Sequence, residues 1–126
     1  MPKPPNKGIA AAAGAIRETA LGFDGVREID HWGRPAFRTT KRIFAVIRPD
    51  GLWLYLTDER KEFLFEADPQ AFVKFMWGKR AEIIVQPTRV SKKELAVLLR
   101  EAYEHALPQK KEGGRSRPRS KRNAAA

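Results

Sequence analysis

Two short apolar runs, Ile43-Phe44-Ala45-Val46-Ile47 and Leu52-Trp53-Leu54-Tyr55-Leu56, stand on either side of Pro49-Asp50-Gly51. Both are rich in β-branched or aromatic residues, and the triplet between them is a turn sequence, so the pair reads as a β-hairpin. Upstream, Ala36-Phe37-Arg38-Thr39 reads as a strand ending at Thr40-Lys41, and Arg27-Glu28-Ile29-Asp30 as a weaker one. Together these predict an antiparallel meander across residues 26–57. Ala81-Glu82-Ile83-Ile84-Val85 adds one more strand, stopped by Pro87.

Helical periodicity appears on both sides of the meander. Over residues 9–21, Ile9, Ala13, Ile16, Ala20 and Leu21 fall on one stripe, and Gly22 ahead of Asp24-Gly25 ends it. Gly14 inside this helix costs about 1 kcal/mol against alanine. Thr57 or Asp58 caps a short helix running to Ala67, where Asp68-Pro69 stops it and offers proline for a further helical turn. In the last helix, Ser91 and Glu94 make a capping box, and Leu95, Leu98, Leu99, Ala102, Tyr103 and Ala106 repeat at helical spacing up to Pro108. The order α-β-β-β-β-α-β-α predicts an α+β fold, an antiparallel sheet with helices packed on one face.

A chain of 126 residues is one domain by length, and it has no cysteine and two histidines, His31 and His105. Disulfides, thiolate metal sites and cysteine nucleophiles are excluded, and a histidine-rich metal site is not expected. No apolar run is long enough for a membrane span, and the opening Met1-Pro2-Lys3-Pro4-Pro5 has no secretory character, so a cytoplasmic protein is expected. The net charge of +10 is unevenly placed. Residues 108–126 hold seven Lys/Arg against one Glu, whereas residues 8–107 hold 16 against 14. The expected organisation is a loose lead over residues 1–8, a folded domain over 9–107 and a basic tail over 108–126 whose composition cannot support a core. Such a tail on a nearly neutral body suits a polyanion, most simply nucleic acid.

His31-Trp32-Gly33-Arg34-Pro35-Ala36-Phe37 follows Asp24-Gly25-Val26 and precedes Lys41-Arg42-Ile43-Phe44-Ala45. Ala67-Asp68-Pro69, Trp77-Gly78-Lys79-Arg80 and a terminal helix ending in Arg100-Glu101-Ala102-Tyr103 come next. This series, over residues 9–107, resembles the MmcQ/YjbR family of small bacterial proteins. The resemblance implies a compact fold similar to that of frataxin and CyaY, and DNA binding through a double-wing arrangement. It raises iron binding as well, but Glu18, Asp24, Glu28 and Asp30 are too sparse for a hard-cation surface, so no metal and no cofactor are expected. The chain departs from the family at Thr39-Thr40, which lacks the usual glycines and so predicts a longer or bulged hairpin. The basic tail lies outside the family pattern.

Lys41-Arg42 at one hairpin tip, with Arg38 beside it, and Lys79-Arg80 at a second tip are the candidate wings, and Arg48 falls at a further turn. Arg34 is a candidate phosphate or guanine contact. Lys110, Lys111, Arg115, Arg117, Arg119, Lys121 and Arg122 are candidate phosphate contacts of the tail. Trp32 is expected in the core with Phe37, and the carboxylates of residues 58–66 on a solvated face. No arrangement of residues suggests catalysis. The expectation is a non-enzymatic DNA-binding protein. The alternative is a ligand- or protein-binding module, for which an apolar pocket lined by Trp32, Phe37 and Trp53 would be the mark.

Overall fold

The computed structural model describes residues 7–108. Helix α1 (Lys7–Leu21) is followed by strands β1 (Arg27–His31), β2 (Arg34–Arg38), β3 (Ile43–Arg48) and β4 (Gly51–Leu54), helix α2 (Asp58–Ala67), strands β5 (Phe72–Trp77) and β6 (Arg80–Val85), a 3-10 turn (Pro87–Arg89) and helix α3 (Lys92–His105). The six strands form one antiparallel sheet in the order β1-β2-β3-β4-β6-β5. β4 and β6 join the meander to the β5–β6 hairpin through Leu52↔Val85 and Trp53↔Ile84.

The class is α+β, as the periodicities predict, with one strand more than expected. Phe72-Val73-Lys74-Phe75-Met76-Trp77 forms edge strand β5 rather than a helical turn after Pro69. Its run is almost wholly apolar, so it lacks the alternation that marks a half-buried strand. Val73 and Trp77 remain substantially exposed on the sheet face away from the helices, and Met76 is exposed on the edge strand.

All three helices pack on one face. Their inward residues, among them Ile9, Ile16, Leu64, Phe65, Leu98 and Leu99, form a single cluster with Phe37, Ala45, Ile47, Leu52, Leu54, Ile83 and Val85 of the sheet. The stripe read for α3 is buried at every position through Ala106. Its N-cap forms on Ser91, with the Glu94 amide donating to Ser91 Oγ at 3.0 Å. The Tyr103 hydroxyl donates to the Asp24 carbonyl at 2.8 Å, locking α3 to the chain that enters the sheet. In α1, Leu21 falls off the buried stripe and is exposed. Arg17 of α1 holds Glu28 of β1 in a bidentate pair at 2.8 and 3.0 Å, which keeps the Glu28 carboxyl below its usual range and raises Arg17.

Helix α2 starts on Thr57, whose hydroxyl accepts from the Arg60 amide at 3.1 Å. The solvated face expected of it needs one correction. Lys61 is buried, and its Nζ donates to the Ala81 carbonyl at 2.6 Å and lies 3.3 Å from Asp58. The β2–β3 hairpin is bulged between Phe37 and Arg38, as the missing glycines suggested. Thr39 does their work: its hydroxyl accepts from the Lys41 and Arg42 amides and donates to the Ala106 carbonyl at 2.8 Å.

Candidate functional site

The sheet face away from the helices carries no covering element among the described residues. Strand alternation sends one set of side chains to the core and the other to this face. The outward set lines an open groove of about 820 Å³, from His31 and Trp32 at the β1–β2 turn to Trp77 at the end of β5. Its floor includes Val46, Trp53 and Phe75 on adjoining parts of the sheet. Arg34, Arg38, Lys41, Arg42, Arg48 and Arg80 stand along it, with Glu82 as the one carboxylate among the described residues.

That carboxylate is already engaged. Glu82 is buried, one oxygen accepts from Trp53 Nε1 at 2.9 Å with Lys61 Nζ at 3.9 Å, and Arg80 lies 3.1 Å from the other. Arg48 is held by Asp50 at 2.9 and 3.2 Å, with its guanidinium 5.1 Å from the Phe75 ring. Arg42 stacks on Tyr55 at 3.7 Å and donates to its hydroxyl at 2.7 Å, a cation–π contact that orders the cation without neutralising it. Arg38 donates to the carbonyls of Thr39 and Thr40. Among the described residues Arg34, Arg38, Lys41 and Arg42 have no ion pair. The groove therefore presents uncompensated positive charge beside exposed rings.

The structure brings together five of the candidates read from the sequence: Arg34, Arg38, Lys41, Arg42 and Arg80. Antiparallel pairing sets the tips at Lys41-Arg42 and Lys79-Arg80 at the same end of the sheet, and the Trp32-Gly33 turn at the other. Lys79 lines a neighbouring depression of about 660 Å³ with Tyr55, Lys61 and His105 rather than the groove. Lys110, Lys111, Arg115, Arg117, Arg119, Lys121 and Arg122 lie outside the described residues. The floor residue Phe75 and the carboxylate Glu82 were not among the candidates, and Trp53 was named only for a ligand pocket with Trp32 and Phe37. Strand alternation around Trp53 was the only hint of them, since their proximity depends on β6 inserting beside β4.

Trp32 is a correction. It is 90% exposed, not a core residue, whereas Phe37 is fully buried on the helix side. An apolar pocket shared by Trp32, Phe37 and Trp53 therefore does not form. His31 pairs with Arg34 across a two-residue turn in which Trp32 has φ +56 and Gly33 φ +83. Positive φ at both central positions is the type I′ hairpin geometry, which favours Asn-Gly. Tryptophan there is strained by about 1–3 kcal/mol and buries almost nothing in return. Trp32→Asn is thus expected to raise stability by about 1 kcal/mol, read as an upward shift of the denaturation midpoint. A loss of about 3 kcal/mol, as for a truncated core tryptophan, would contradict the assignment.

Fold and groove together define a small α+β protein with a helix-covered face and a bare, cationic, aromatic one. Residues 21–105 match the YjbR family, more than half of the chain, and the protein belongs to that family. No curated protein and no solved structure matches the chain. Among the described residues, no three of His, Asp and Glu converge as a metal site, and no helix is long and apolar enough to cross a membrane.

Proposed function

We propose that the protein is a cytoplasmic, non-enzymatic DNA-binding protein whose open sheet face takes the polyanion. The observation that carries this reading is the convergence on one groove of Arg34, Arg38, Lys41 and Arg42, which have no carboxylate partner among the described residues. Cations arrayed without counter-charges repel one another, and a phosphodiester chain relieves that repulsion while releasing its own counterions. The two basic tips at one end of the sheet suit the wings implied by the family resemblance, and the basic residues after Pro108 add phosphate contacts.

Titration of the full chain with labelled DNA at two salt concentrations tests this. The Arg34→Ala/Arg38→Ala double variant is expected to weaken binding at low salt. It should also flatten the slope of log K against log salt by about 0.9 for each phosphate that these arginines neutralise. Unchanged affinity and slope would remove the groove from the interface. A second reading, a small-ligand site, is favoured by one observation: the groove volume of about 820 Å³ lies within the range of such sites. Association that ignores salt would support that reading instead.

A further inference from the structure

The rings of the groove carry more information than its charge. Phe75 and Trp77 point to the same face of β5, two residues apart, and so stand about 6.8 Å from each other along the strand. That is about twice the ~3.4 Å rise per nucleotide of a stacked strand. Trp53 extends the aromatic floor two strands away, across β6. Trp77 is 70% exposed, and Trp32 at the far end is 90% exposed and held in a strained turn. A paired duplex stacks its bases on one another and offers such rings no open base face along its length. Unpaired bases offer π-faces, and at this spacing each ring meets a base only if the strand is spread.

We infer that the groove binds single-stranded DNA, with bases stacked on Phe75, Trp77 and Trp53 and phosphates on the flanking arginines. This rests on the DNA-binding reading above and narrows it. Alternation of rings and cations along one face is the physical pattern of strand binding without sequence preference. Among the described residues the groove lining contains no Ser, Thr, Asn or Gln side chain. Beyond its arginines, His31 and the indole N–H groups it offers few groups to read base edges or a ribose 2′-hydroxyl, so stacking and charge dominate its hold on the chain.

The test compares, by fluorescence anisotropy on the full chain, a labelled oligothymidylate, a base-free phosphodiester of equal length, a duplex of equal length, and oligouridylate. The oligothymidylate and the base-free strand carry the same phosphates, so basic residues after Pro108 weigh on both alike and the difference reports the bases. Oligothymidylate is expected to bind about tenfold or more tighter than the base-free strand, and Trp77→Leu to remove about tenfold of oligothymidylate affinity while leaving base-free binding unchanged. Intrinsic tryptophan fluorescence of the unmodified protein should be quenched by oligothymidylate and not by the base-free strand, which needs no variant to fold. Equal affinity for the two strands, or no effect of Trp77→Leu, overturns stacking. Tighter binding of the duplex overturns the single-strand assignment while leaving the DNA-binding reading intact. Tighter binding of oligouridylate by about tenfold overturns DNA as the occupant. Failure to bind any of the four overturns both readings.

Discussion

Replacing Gly51 by alanine is expected to destabilise the protein by about 3 kcal/mol, a large part of the stability of a domain this size. Gly51 opens β4 with φ +144, a conformation that L side chains rarely adopt. A Cβ built there falls 2.5 Å from Ile84 Cγ2, 2.7 Å from the Val85 carbonyl oxygen and 2.9 Å from Gln86 Nε2. The carbonyl cannot retreat freely, because Val85 pairs with Leu52 in the seam that joins the two halves of the sheet. Gln86 is fixed as well, since its Nε2 donates to the Asp50 carbonyl at 2.8 Å. Backbone strain and overpacking contribute about 1–3 kcal/mol each, which is why the cost is larger than for an ordinary turn. Gly14→Ala is the internal control. Its Cβ meets nothing within 4 Å in the interior of α1, so it should stabilise by about 0.5–1 kcal/mol. Urea melts of the two variants should move in opposite directions. A Gly51→Ala midpoint equal to the native one would show that β4 and β6 approach less closely than described.

Deletion of residues 109–126 is expected to flatten the salt dependence of DNA binding by about 4 in the slope of log K against log salt. These residues hold Lys110, Lys111, Arg115, Arg117, Arg119, Lys121 and Arg122 against Glu112 alone. If about four of the cations meet phosphates, each contributes roughly 0.9 to the slope. The expected change is larger than for removal of any single groove arginine. The fold should survive the deletion, because the core closes at Ala106 with Leu107 packed against it. Thermal melts of the full and shortened chains are expected to agree within a few degrees. A slope unaltered by the deletion would place the electrostatic contacts wholly in the groove. A large drop in melting temperature would mean that the deleted residues dock on the domain.

The elements that could be read from the sequence are those whose stabilisation is local. Helix α3 carries its own cap, stripe and stop between Ser91 and Pro108, and the structure forms each of them there. The hairpin at Pro49-Asp50 and the basic tips at Lys41-Arg42 and Lys79-Arg80 are likewise set by turn chemistry over a few residues. Strand β5 escaped because its outward residues Val73, Phe75 and Trp77 are apolar like its inward Phe72, so no alternation marks it. Lys61 escaped because its burial depends on the Ala81 carbonyl and Glu82, 20 or more residues along the chain.

The amino-acid order by itself thus determined the class of fold, the inward face of α3, the family, and five of the cations in the groove: Arg34, Arg38, Lys41, Arg42 and Arg80. Only the tertiary structure decided what those cations stand beside. Trp32 turned outward because the type I′ geometry of its hairpin projects it from the sheet, a backbone effect that hydrophobicity does not report. Trp53, Phe75 and Trp77 became one surface because β6 entered between β4 and β5, and strand order is set by long-range pairing rather than by the composition of any one strand.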